Sequence, residues 1–211
     1  EQRIASDYFL KSGKNGEAAM IVTACLNVNP VMIYFGQELG EPGMDEEGFS
    51  GKNGRTTIFD YWSVDTIRRW NNNGKWNDAL LTKEESDLQK FYAKLLTLCN
   101  KEKALNRGLF YDLMPANYEN HEFDSTKQFA FLRGVENELV LAVVNFDNND
   151  ADVVINIPDH AFHFFEMPQN KSFKAFPLLS NSKSKITFSG NNPIRVTVLA
   201  NSGELYKIST L

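Results

Sequence analysis

Five carboxylates fall within ten positions of this chain: Glu38, Glu41, Asp45, Glu46 and Glu47. Glycoside hydrolysis needs two carboxyl groups across the sugar bond, one to protonate the leaving oxygen and one to attack or activate water. Read from the residues alone, this segment could supply such a pair. Asp45-Glu46-Glu47 reads equally well as a solvated acidic turn. Glu38 stands apart because it closely follows an apolar run, where a side chain is held rigidly. It is a candidate for the site, or for an ion pair that shapes it. Arg55 lies within Gly54-Arg55-Thr56-Thr57-Ile58-Phe59-Asp60-Tyr61-Trp62. Its fork of donors suits Glu38 or a sugar-facing carboxylate, with an exposed loop arginine as the plainer alternative. Trp62, Trp70 and Trp76 fall within fifteen residues. Sugar rings have apolar faces that stack on aromatic rings, so the cluster suits a carbohydrate groove; each tryptophan could equally anchor a long loop.

Other chemistries find little support. The net charge of −5 argues against a nucleic-acid partner, which needs a basic face. The longest apolar run, Ala18 to Leu26, is broken by Thr23 and falls short of the ~20 residues that span a bilayer, so no membrane partner is expected. Cys25 and Cys99 lie in apolar helical patterns and read as free thiols, or as a disulfide whose geometry sequence cannot test. No Cys/His spacing resembles a zinc site, and His121, His160 and His163 are scattered.

The elements that must position these residues fall into two halves of the 211-residue chain, with an expected boundary at Arg107-Gly108. Glu17 to Asn27 reads as a helix that is apolar nearly all round, with Asn15 as its cap, and so must be covered on most sides. Val31-Met32-Ile33-Tyr34-Phe35 is a continuous apolar run, the pattern of a strand buried on both faces of a parallel sheet. One strand cannot make a sheet, so its partners are expected from elsewhere. Residues Gln37 to Ser63 form a long Gly- and acid-rich segment at the C-terminal end of that strand, where (β/α) barrels build active sites. Thr82 and Glu85 spell a capping box for a helix to Asn100, with Leu88, Phe91, Tyr92, Leu95 and Leu98 at helical spacing. The second half offers strands at Gly108–Leu113, Gln128–Arg133, Glu138–Asn145, Asp152–Ile157, Ile194–Leu199 and Leu205–Ile208, with Gly134 to Asn137 as a hairpin connection. Consecutive strands without helices predict an antiparallel sandwich.

Residues Pro30-Val31-Met32-Ile33-Tyr34-Phe35-Gly36-Gln37-Glu38-Leu39-Gly40 resemble the alpha-amylase family of glycoside hydrolases at its eighth barrel strand. Gly54-Arg55 to Trp62 resembles the family's next loop, and Glu1-Gln2-Arg3 resembles the residues just after its Asn-His-Asp motif. The two helices match the seventh and eighth barrel helices, and the all-β tail matches the family's C-terminal sandwich. The resemblance runs in order along the full length. It implies a fold class of α/β plus all-β: residues 1–107 as the C-terminal part of a (β/α)8 barrel, residues 108–211 as an antiparallel β-sandwich.

The resemblance further implies a parent enzyme acting on α-glucans such as starch or maltodextrin. Its mechanism would be retaining, with carboxyl groups about 5–5.5 Å apart. The family's three catalytic carboxylates fall outside these residues, so none is assigned here and the chain alone is expected to be inactive. Arg3 would order the neighbourhood of the third carboxylate, and Glu38, Arg55 and Trp62 would shape the substrate pocket. No cofactor is implied; family calcium sites lie mostly upstream. Besides an α-glucan, the expected partners are the rest of the barrel, or self-association of a fragment with unpaired strand edges. A non-catalytic carbohydrate-binding or interaction module on the same scaffold is the alternative, and the sandwich may serve only to stabilise the barrel.

Overall fold

The computed structural model describes residues 3–44, 52–55, 64–168, 171–180, 182, 185–189 and 192–210. Two compact units result. The first takes residues 1–17 and 31–94, the second residues 18–30 and 95–211.

Helical periodicity accounts for most of the first unit's regular structure. The segment contributes α2 (Asp65–Asn71) and most of α3 (Lys83–Lys101). The predicted capping box forms: Glu85 N–H donates to Thr82 Oγ1 at 3.2 Å, and Thr82 N–H to Glu85 Oε2 at 2.8 Å. A small apolar cluster of Leu39, Val64 and Ile67 is flanked by Phe35, Trp70 and Leu81. The predicted strand at Val31–Phe35 does not form. No described residue offers it a ladder, and a strand needs a neighbour for its backbone groups. Met32 and Tyr34 are 81% and 43% exposed.

The second unit is an antiparallel sandwich. Its large sheet runs β1-β2-β3-β8-β5-β6. The strands are β1 (Leu109–Asp112), β2 (Gln128–Val135), β3 (Glu138–Asn145), β5 (Ser172–Pro177), β6 (Ile186–Ser189) and β8 (Ser202–Thr210). A second sheet pairs β4 (Ala151–Ile155) with β7 (Ile194–Val198). Alternate side chains of both sheets meet in one apolar core: Ala130 and Leu132 of β2, Leu139 and Leu141 of β3, Val153 of β4 and Val196 of β7.

The outward face of the large sheet is buried too. Phe131, Arg133, Val140, Ala142 and Leu205 are at most 1% exposed. The short α4 (Lys103–Arg107) packs on β2 and β3, and Ile21 and Cys25 of α1 (Glu17–Cys25) lie against Gly203 and Arg133. Burial on two sides explains why β3 reads as a near-continuous apolar run rather than an alternating one. Glycine at Gly203 permits the close approach of α1, since a Cβ there would lie 2.9 Å from Ile21 Cδ1.

Several expectations need correction. The all-β half contains a helix, α5 (Asp159–Phe164), which starts after Pro158 and buries Ala161 and Phe162. Its six residues are too few to display a helical period. Asn15 lies inside a 3-10 turn (Lys14–Gly16), and its amide donates to the Leu10 carbonyl instead of standing at the helix cap. The hairpin connection is tighter than predicted: Val135 already pairs with Glu138, and Glu136 makes the turn with φ +55°.

Candidate functional site

The candidate site lies in the first unit, around the chain from Ile33 to Glu38. Gly36 and Gly40 adopt left-handed backbone at φ +73° and +71°, bracketing a 3-10 turn (Gln37–Leu39). The turn divides its side chains by function. Leu39 is buried in the small apolar cluster, and Gln37 Nε2 donates to the Tyr92 hydroxyl of α3 at 2.9 Å. Glu38 is left half-buried at the wall of a groove. Burial pushes the Tyr92 phenol up in pKa, and the Glu38 and Glu17 carboxylates add to that against the Gln37 hydrogen bond.

This groove has a volume of about 380 Å³ and is lined by Ile33, Tyr34, Phe35, Gly36, Glu38, Ile67, Trp70 and Trp76. Trp70 and Trp76 meet edge to face, 5.1 Å between centroids at 75°. Trp76 is 53% exposed and holds left-handed backbone at φ +51°, its N–H donating to the Asn71 carbonyl at 3.0 Å. Aromatic walls with one carboxylate can stack on a sugar and accept from its hydroxyls. One carboxylate cannot perform the two-carboxyl chemistry of glycoside cleavage.

Arg3 ties the groove-lining chain at Tyr34 and Phe35 to Gly54. Its backbone N–H donates to the Gly54 carbonyl at 2.7 Å, its Nη2 donates to the Phe35 carbonyl, and its guanidinium carbon sits 4.6 Å from the centre of the Tyr34 ring. Only 6% of the residue is exposed. Arg3 thus brings together three segments that the sequence separates widely.

The remaining sequence-predicted residues divide. Arg55 is half-buried, with its N–H donating to Asn53 Oδ1 at 3.1 Å. Trp62 lies outside the described residues, as do Asp45, Glu46 and Glu47. Glu41 proves structural. It is 2% exposed and accepts from Gly43 N–H at 2.8 Å and Thr66 Oγ1 at 2.6 Å. Its place close after the apolar run set Glu38 apart, but no local signal marks the role of Glu41; a buried carboxylate between two loop donors is a tertiary property.

A larger cavity of about 680 Å³ opens at the start of α3. Its Glu85 and Asp87 carboxylates are already bound by Arg69 and Lys83. Among the described residues no helix is long and apolar enough to cross a membrane, and no group of three or more His, Cys, Asp or Glu could hold a metal ion.

No family model and no curated protein matches the sequence. Solved structures do. The alpha-amylase from Geobacillus thermoleovorans, complexed with acarbose, aligns with a TM-score of 0.54 and 16% identity over 93% of this chain and 33% of its own. The noncanonic maltogenic alpha-amylase AmyB from Thermotoga neapolitana gives 0.60 and 14% over 99% and 39%. A mutant isomaltulose synthase from Erwinia rhapontici NX5, in complex with its natural substrate sucrose, gives 0.55 and 17% over 99% and 41%. The chain therefore spans between a third and about two-fifths of the length of these structures, and over that span it has their fold.

Proposed function

We propose that this chain is the C-terminal part of an alpha-amylase-type glycoside hydrolase acting on α-glucans by a retaining double displacement. Residues 1–107 are read as the end of the catalytic barrel and residues 108–211 as the sandwich behind it. The observation that carries the reading is the groove at Glu38. There an exposed Trp76, Trp70 and Tyr34 surround a carboxylate in a chain with the fold of alpha-amylases. Within the parent enzyme, this segment supplies substrate contacts and other strands supply the two reacting carboxyl groups. Arg3 braces the chain at Tyr34 and Phe35, and Arg55 and Trp62 are read as further residues that shape the substrate pocket.

The test is the parent enzyme's action on maltoheptaose, followed by NMR of the first-formed anomer. Retention of the α-configuration is expected, and Trp76→Ala should raise KM about tenfold, a loss near 1.4 kcal/mol of sugar stacking. Inverted product, or no action on any α-glucan, would sink the proposal.

The single carboxylate in the groove favours one other reading, a non-catalytic carbohydrate-binding module on the same scaffold. Calorimetry of the 211-residue chain with maltoheptaose discriminates. Binding of the same strength whether or not the remaining barrel is present would favour the module.

A further inference from the structure

Two thiols and a guanidinium meet inside the second unit, and among the described residues no carboxylate forms an ion pair with that guanidinium. Arg133 of β2 is 1% exposed. Its Nη1 donates to the Cys25 carbonyl at 3.0 Å and its Nη2 to the Gly108 carbonyl, while its Nε finds no acceptor among the described residues. Taking a guanidinium out of water without a counter-charge is costly. Burial pushes its pKa down, and the charges acting on it in the opposite direction are those of Cys25 and Cys99.

Cys25 is the last residue of α1 and is buried; Cys99 lies in the last turn of α3 and is half-buried. Their sulfurs are 3.6 Å apart. The Ala24 carbonyl also lies 3.6 Å from Cys99 Sγ and accepts a hydrogen bond from that thiol when both sulfurs are protonated. A disulfide needs about 2.05 Å between sulfurs, so closing the pair takes an approach of roughly 1.5 Å. Residues Asn27 to Pro30, just beyond α1, are all exposed, which leaves the end of that helix room to yield.

We propose that Cys25 and Cys99 form a redox-active pair: Cys99 attacks a peroxide, and Cys25 then closes a disulfide that links α1 to α3. Both thiols sit at helix C-termini, whose partial negative charge opposes a thiolate. The Arg133 guanidinium offsets that field and acts as a positioning residue. With the Cys99 S–H turned to the Ala24 carbonyl, the Cys25 S–H is the one left to donate between the sulfurs, which holds the Cys99 thiol below its ordinary pKa and the Cys25 thiol above it. The half-exposed sulfur is thus the nucleophile and the buried one the resolving thiol.

The steps balance. The Cys99 thiolate attacks one peroxide oxygen; an S–O bond forms, the O–O bond breaks and hydroxide leaves. The Cys25 sulfur then attacks the sulfenic sulfur. The S–S bond forms, the S–O bond breaks, and water leaves carrying the Cys25 proton. Two thiols lose two electrons, and hydrogen peroxide is reduced to two waters once the hydroxide takes up the proton first shed by Cys99.

The experiment treats the reduced full chain with hydrogen peroxide and maps its peptides without reduction. A Cys25–Cys99 cross-link reversed by dithiothreitol is expected. Closing a 74-residue span should also raise the thermal midpoint by about 10 °C. In Cys25→Ser, dimedone should trap Cys99 as sulfenic acid; in Cys99→Ser, Cys25 should stay unmodified. Absence of the cross-link in folded protein, or oxidation of Cys25 ahead of Cys99, overturns the proposal. Arg133→Met should move the pH midpoint of Cys99 alkylation by iodoacetamide upward and slow the reaction at neutral pH about tenfold. Where Arg133→Met does not fold, Arg133→Lys keeps the charge and should keep the midpoint. A folded Arg133→Met with an unmoved midpoint, or a folded Arg133→Lys that loses it, removes Arg133 from the mechanism.

Discussion

The Arg69 Nε reaches both carboxylate oxygens of Glu85, at 3.1 and 3.0 Å, while Glu85 also receives the Thr82 N–H that starts α3. One carboxylate thereby caps a helix and anchors α2 to it. The pairing raises the pKa of Arg69, with the Glu85 hydrogen bond as the main cause. Glu85→Ala removes both roles and should cost about 2–3 kcal/mol in denaturant unfolding. Glu85→Gln keeps an acceptor for the Thr82 N–H and should cost about half as much. Equal losses would mean that the cap adds nothing beyond the ion pair.

Arg3→Lys keeps a charge beside Tyr34 but loses the planar fork lying over its ring. Loss of about 1 kcal/mol should speed amide exchange at Arg3 and Gly54 roughly fivefold, leaving the sandwich amides unchanged. Hydrogen-exchange mass spectrometry reads both regions in one measurement.

Acid should loosen the second unit through Glu138. Burial alone would raise this carboxyl's pKa, but the Ala104 N–H at 2.8 Å and Lys207 Nζ at 3.0 Å bring it below its ordinary 4.5. A depressed folded pKa stabilises above the unfolded value and loses that contribution as pH falls through the folded one. Glu138→Gln should therefore cost on the order of 1 kcal/mol at pH 7, a figure already reduced for solvent screening, and progressively less as pH falls below the ordinary 4.5 and through the folded value. Unfolding free energies across that range check the convergence.

Gly203→Val tests how tightly α1 is seated on the sheet. A Cβ at this position would lie 2.7 Å from the Val143 carbonyl oxygen and 2.9 Å from Ile21 Cδ1. Overpacking of this kind should cost about 2–3 kcal/mol, and a chemical-denaturation midpoint measures it.

Much of the sandwich was legible because its strands carry strong local signals. Glu138–Asn145 appears with the predicted bounds, and the Thr82–Glu85 capping box forms as spelled. Ser172–Pro177 was less legible because Lys174 and Pro177 interrupt its apolar pattern, and α5 because one and a half turns show no period. Val31–Phe35 has the composition of a buried strand, yet strand character depends on partners that composition does not contain. The site followed the same division. Glu38 and Arg3 were readable from their types and neighbours. The roles of Glu41 and of the Arg133–Cys25 contact come from residues brought together over 25 and 108 positions of chain.

The position of β8 in the large sheet has a consequence for biosynthesis. It is the latest strand in chain order, yet it lies between β3 and β5 and pairs with both. Until Ser202–Thr210 has left the ribosome, the meander β1–β3 and the hairpin β5–β6 have no backbone bridge between them. The domain's assembly is then a late event, and the apolar surface of β3 is a segment for a chaperone to shield in the meantime.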